Sequence, residues 1–243
     1  MADISALQLS HLLATLRSMD IVANNLANSS TPGFKRDAIR FEEVLKREQP
    51  AEDEAGPQIT SFVREAGVSQ DLRQGPIVTT NAPFDLAING DGFFSIQTPA
   101  GVRYTRNGHF GLDASGRVAT TDGGILLAEG GPIVVAPEDG DIHVAQDGIV
   151  SGKKGQIARL QLVGFAHAQL LRKEGASLYA ASETPSAATG RIMQGGVENS
   201  NVEPVIEIAR MIEIMRAYQT TANLIQAQEK TEGDTLARLA KMP

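Results

Sequence analysis

The chain has 243 residues, 42% of them hydrophobic, with 24 Gly, no Trp, no Cys and a formal charge of −7. That length suffices for one or two cored domains, and the missing cysteines exclude disulfides, thiolate metal sites and cysteine nucleophiles. Net acidity, with no basic cluster beyond Lys153-Lys154, argues against nucleic acid as a partner, and no run of apolar residues is long enough for membrane insertion.

The first predicted element is a helix. From Leu9 the apolar residues Leu9, Leu12, Leu16, Met19, Ala23 and Leu26 recur in steps of three and four, with Leu13 and Val22 widening the stripe, which is a heptad seam. Ser5 followed by Gln8 has capping-box spacing, so the helix is expected from there to about Asn28, roughly 35 Å at 1.5 Å per residue. The start lacks the Lys/Arg cluster of a secretory signal, and Gln8, Ser10 and His11 interrupt its apolar residues. Any export is therefore expected to proceed without a cleaved signal peptide.

The chain must then turn. Pro32 drives Thr31 out of the helical region, and Pro32-Gly33 fits the two central positions of a type II turn. Asn24, Asn25 and Asn28 can bond backbone groups in the fraying last turns. A helix end followed by a turn accounts for the Pro-Gly pair. It does not account for the spacing of Asn24, Asn25, Leu26 and Asn28 ahead of Thr31, Pro32, Gly33 and Phe34, with Ser29-Ser30 in a permissive gap. In those eight positions the sequence resembles the N-terminal signature of the flagellar rod and hook family of bacterial axial proteins.

Residues 36–80 read as an extension or connector. Ile39, Phe41, Val44 and Leu45 suit a short helix or a strand, and 47–57 is acidic with two prolines and no apolar period, hence a loop. Through residues 81–199 the apolar period becomes two. Phe84, Leu86 and Ile88, then Phe94 and Ile96, then Val102 and Tyr104 alternate with smaller or polar residues. Asn89-Gly90, Asn107-Gly108, Asp122-Gly123, Asp139-Gly140 and Asp147-Gly148 punctuate them. Such spacing predicts a central all-β, antiparallel, sandwich-like domain. Gly90-Asp91-Gly92-Phe93-Phe94, Tyr104 to Gly108 and Asp113 to Gly116 resemble the central β region of the same family, in the same order. Gly131 to Val135 and Ile142 to Gly148 are more similar to its proximal-rod branch, with the distal-rod branch as the alternative.

The last predicted element is a second long helix over 201–240. Val205, Ile208, Met211, Met215, Tyr218, Ala222 and Ile225 form another heptad seam, flanked by Arg210, Glu213, Arg216 and Gln219. Asn201 is expected to cap it and Pro204 to sit in its first turn, and the seam weakens near Gly233. An amphipathic helix packed on its own globular core is the ordinary alternative. Two such seams at opposite ends of one chain favour pairing, so the fold class is read as α+β, with terminal helices (1–35 and 200–243) paired as a coiled coil.

No catalytic, cofactor or metal site is expected. The four His are scattered without metal-ligand spacing, and Gly148 to Lys153 falls short of a phosphate loop. Carboxylate pairs such as Asp85/Asp91 or Glu138/Asp141 could serve a glycosidase in principle, but loop carboxylates are usually just solvated. A glycan-binding β module is the rival class, and its aromatic platform is thin: Tyr104, Tyr179 and Tyr218 are the only tyrosines. Unpaired seams that bury against copies and relatives propagate into filaments. The resemblance implies which filament: the rod of the flagellar basal body, in the periplasmic space. It also implies the partners, namely other proximal and distal rod subunits, copies of the chain, and the flagellar type III export apparatus.

Overall fold

The computed structural model describes residues 2–48 and 58–239, so most of the acidic stretch 47–57 lies outside the described residues. The chain divides into two compact units. One comprises residues 1–26, 37–69 and 203–243; the other comprises 27–36 and 70–202. The class is α+β.

The helical unit contains α1 (Ala2–Ala27), the two-stranded sheet of β1 (Asp37–Glu48) and β2 (Gln58–Gln70), and α2 (Pro204–Leu239). Helix α1 starts at Ala2, ahead of Ser5, so the capping-box pair lies inside the helix. Pro204 opens α2, where its missing N–H costs nothing. The cap differs from expectation. The Glu203 carbonyl takes the N–H groups of Ile206 and Glu207, both at 3.1 Å. Asn201 belongs to the other unit, where its amide donates to the carbonyls of Asp71 (2.8 Å) and Arg73 (3.0 Å) and accepts the Arg36 N–H (2.8 Å). A side chain that satisfies three backbone groups there does more than one helix-end bond would. Helix α2 continues through Gly233 to Leu239.

The β unit is built from short strands, as the turn spacing predicts. In chain order they are β3 (Ile77–Thr79), β4 (Leu86–Asn89), β5 (Phe94–Thr98), β6 (Gly101–Thr105), β7 (Phe110–Leu112), β8 (Val118–Thr120), β9 (Ile125–Ala128) and β10 (Gly131–Pro132), followed by β11 (His143–Val144), β12 (Ile149–Gly152), β13 (Gly155–Arg159), β14 (Val163–Gly164), β15 (Arg172–Glu174), β16 (Leu178–Ala180), β17 (Ser186–Ala187), β18 (Arg191–Gln194) and β19 (Gly196–Glu198). The main sheet runs β15-β16-β6-β5-β9-β8-β7, with β10 on β9, and every pairing in it is antiparallel. Smaller sheets join β11-β12-β13, β14-β17, β18-β4 and β19-β3.

Successive side chains of a strand face opposite sides, so adjacent Phe93 and Phe94 enter different cores. Phe94 and Ile96 join Leu86, Ile88, Leu126 and Ile192 in the larger one, where Phe94 meets Phe110 edge-on at 5.4 Å. Phe93 packs with Tyr104, Leu171 and Tyr179, its ring 5.6 Å from that of Tyr179. The main sheet is therefore covered on both faces. Strict alternation fails after Tyr104, since Thr105 and Arg106 are both buried. Thr105 Oγ1 donates to the Ser177 carbonyl at 2.7 Å, and Arg106 reaches a buried carboxylate. Polar partners of this kind hold polar residues inside where apolar patterning would not.

Three carboxylates of this unit sit below their ordinary values. The Arg73 side chain lowers Asp71, the Arg117 N–H lowers Asp113, and the Arg103 guanidinium, 2.6 Å away, lowers Glu174. Depressed folded values mean stability that is fully present above the unfolded values of 3.8 and 4.5 and is lost as pH falls through the folded ones. The urea midpoint of the β unit is therefore expected to be flat down to about pH 5 and to fall below it. Arg103→Met is expected to shrink that acid step; an unchanged step would refute the assignment to Glu174.

Candidate assembly site

The motif Thr31-Pro32-Gly33-Phe34 forms the expected turn. The Phe34 N–H donates to the Thr31 carbonyl at 3.2 Å, and Gly33 has φ +70° at the position that a type II turn reserves for glycine. Ahead of it, the Thr31 N–H and hydroxyl bond the carbonyl and side-chain oxygen of Asn28, each at 3.1 Å. The turn is pressed onto the β unit: a Cβ on Gly33 would lie 2.2 Å from the Asn107 nitrogen, and the Gly33 N–H donates to the Glu198 carbonyl at 2.7 Å. Phe34 is fully buried, with Lys173 Nζ 3.7 Å from its ring centroid. Gly33 is thus required twice, for its dihedral and for its missing side chain.

Directly after the motif lies a cluster of charges that the sequence does not announce. Lys35 and Glu198 are both fully buried, and Lys35 Nζ donates to Glu198 Oε1 at 2.6 Å and to the Arg73 carbonyl at 2.6 Å. Arg106 donates to Glu198 Oε2 at 3.2 Å and to the Gly90 carbonyl at 2.9 Å, and the Gly75 N–H completes the carboxylate at 2.9 Å. Burial pulls the Lys35 ammonium below its ordinary 10.5, with Glu198 pulling the other way. Glu198 thus accepts from the motif segment, from Gly75 and from the end of β6 at once.

Within the helical unit, Asn25 is fully buried. Its amide brackets the Asp37 backbone, donating to the carbonyl at 2.8 Å and accepting the N–H at 2.9 Å. The seam residues are divided by exposure. On α1, Leu12, Met19 and Leu26 are half-buried and Leu9 and Leu16 exposed, while Thr15, Val22 and Asn25 are the most buried positions. On α2, Met211, Tyr218 and Ile225 are half-buried, with Ile214 and Ala222 beside them, whereas Val205, Ile208 and Met215 are exposed, Val205 by 79%. At 100° per residue, Val205, Ile208, Ile212 and Met215 form one contiguous stripe beside the half-buried one. The apolar face of α2 is therefore wider than the part its own unit covers.

Of the two acidic pairs weighed for catalysis, one member of each has a partner and the other is exposed. Asp85 accepts from His109 at 2.7 Å, Glu138 pairs with Lys154, and Asp91 and Asp141 are exposed. Among the described residues no group of His and carboxylates is placed to hold a metal.

Comparison with known proteins agrees with this geometry segment by segment. Residues 8–35 match the "Flagella basal body rod protein" family, residues 87–152 the "Flagellar hook protein FlgE/F/G D1 domain" and residues 193–239 the "Flagellar basal body rod FlgEFG protein C-terminal" family. The first match spans the α1 stripe and the Pro-Gly turn, the second the core strands, and the third Glu198 and α2. The chain is 38% identical to flagellar basal-body rod protein FlgF of Caulobacter vibrioides over 240 residues, covering 96% of each chain. It is 31% identical to FlgF of Mesorhizobium japonicum over 98% of each. Rod protein FlgG of Buchnera aphidicola (Acyrthosiphon pisum) is 34% identical over 88% of this chain and 90% of its own length. With its motif turn, its β unit and its two half-covered helices accounted for in one alignment, the chain belongs to the flagellar basal-body rod protein family, of the FlgF type, whose members are structural subunits rather than enzymes.

Proposed function

We propose that the chain builds the proximal part of the rod by pairing α1 and α2 as a coiled coil with copies of itself and with other rod subunits. The observation that carries this is the exposed apolar stripe on each helix: Leu9, Leu13 and Leu16 on α1, and Val205, Ile208, Ile212 and Met215 on α2. Stripes at heptad spacing beside a polar face are what coiled-coil partners cover. In this reading, segments 1–35 and 200–243 are the assembly domain, 36–80 an extension, and 81–199 the outer β domain. The chain reaches the rod through the flagellar type III export apparatus. Similarity to FlgG proteins makes the distal rod the second reading.

Leu16→Asp and Met215→Asp test it, because these side chains are 39% and 46% exposed in the single chain. A carboxylate there costs the isolated chain under about 1 kcal/mol, but several kcal/mol once a partner covers it. Both variants are expected to melt within a few degrees of the parent yet fail to enter basal bodies, while Glu213→Ala, elsewhere on α2, incorporates normally. Normal incorporation of both Asp variants would overturn the pairing. Immunolabelling of rods broken between their proximal and distal halves separates the two readings.

A further inference from the structure

Asn25 and Glu207 sit where three elements of the helical unit meet: the last turn of α1, the first residue of β1 and the first turn of α2. Asn25 is 0% and Glu207 1% exposed. Besides bracketing the Asp37 backbone, Asn25 Nδ2 reaches Glu207 Oε2 at 3.4 Å, and Arg210 Nη1 holds the other Glu207 oxygen at 2.9 Å. We propose that this buried amide–carboxylate pair fixes the register of α2 against α1, and so decides which residues are left on the outside for assembly.

The half-buried stripe of α2 cannot set a register by itself. Met211, Ile214, Tyr218, Ala222 and Ile225 follow one another at steps of three and four, so sliding the helix by a turn replaces one apolar contact by another at small cost. Polar contacts are not interchangeable in that way. Asn25 is anchored to β1 through two backbone bonds and cannot follow a sliding α2. A slip of one turn, about 5.4 Å, would part Glu207 from the Asn25 amide and break a buried hydrogen bond, while Arg210, on the same helix, would travel with the carboxylate. One polar position within an apolar seam specifies register at some expense of stability. Asn25 is thereby assigned a positioning role inside the family motif that the turn residues Thr31 to Phe34 do not share. Its consequence for the rod rests on the assembly reading above; the register itself does not.

The chain has no native cysteine, so a pair introduced at exposed Asp20, within about two turns of Asn25 on α1, and at exposed Gln226, about five turns beyond Glu207 on α2, takes spin labels at those two places alone and at different heights along the helices. The full-length parent is expected to give one narrow inter-label distance. Asn25→Leu/Glu207→Leu removes both polar groups together and, with them, the two Asn25 bonds to the Asp37 backbone; it is expected to melt below the parent and to give a second population displaced by about 5 Å or more. Glu207→Gln, which keeps an acceptor in place, should restore a single distance. A second variant does not rely on loss. Glu207→Leu/Met211→Glu moves the carboxylate four residues along α2 and is expected to move the single distance by about 6 Å. An unmoved distance in that variant, or one narrow parental distance in the Leu/Leu variant, would overturn the register assignment. Incorporation into basal bodies, scored separately on the same variants, should fall only where the distance has changed. Correct distances with failed incorporation of the parent would count against the rod reading instead.

Discussion

Glu198→Gln is expected to destabilise the β unit by about 4 kcal/mol. Glu198 is the one carboxylate shown between Lys35 Nζ at 2.6 Å and Arg106 Nη1 at 3.2 Å, all three side chains being almost wholly buried. Removing its charge leaves two cations in a site that already opposes the Lys35 proton through burial. The amide can keep the Gly75 N–H, so a loss of this size would come from charge rather than from a missing hydrogen bond. Thermal unfolding followed by a β-sheet signal should drop by roughly 10 °C. Replacing the whole cluster (Lys35→Met, Arg106→Met, Glu198→Leu) is expected to return most of the stability, since buried ion clusters are often no better than packed apolar groups. If Glu198→Gln shifts the midpoint by less than about 1 kcal/mol, the cluster is not what holds residues 27–36 to the β unit.

Gly33→Ala is expected to cost about 3 kcal/mol through two separable effects. The left-handed φ of +70° penalises any side chain by about 1 kcal/mol, and the new methyl would be 2.2 Å from the Asn107 nitrogen, a backbone atom that cannot swing aside. Gly175→Ala is the matched control, with φ +77° and nothing within 4 Å of its added Cβ. It bears the dihedral penalty alone and should lose about 1 kcal/mol. The difference between the two isolates the clash, read as urea midpoints at constant slope. Equal losses would mean that the turn is not pressed against Asn107. Beyond stability, the Gly33 variant should expose Phe34, which hydrogen exchange of residues 31–36 reports directly.

Periodicity and punctuation by themselves determined the layout: two amphipathic helices at the chain ends, a Pro-Gly turn after the first, and short antiparallel strands between Gly-containing turns. These signals are local. A step of three and four is a property of one helix, and a left-handed turn position is a property of four residues, so neither needs the rest of the chain to be read. Tertiary structure alone decided which half of each wide apolar stripe is covered. Leu16 and Met215 are as apolar as Val22 and Met211, and the spacing of the stripe cannot say where its buried centre lies. It also decided that Asn201 stitches three backbone groups instead of capping α2, and that Lys35, which reads as a solvated lysine, is buried against Glu198, 163 residues away. No sequence pattern links Lys35 to Glu198, because a buried ion pair is specified by two single residues and by the chain path between them. The motif stood out as a string, but the reason for its glycine lay in the Asn107 backbone, which only the folded chain brings near.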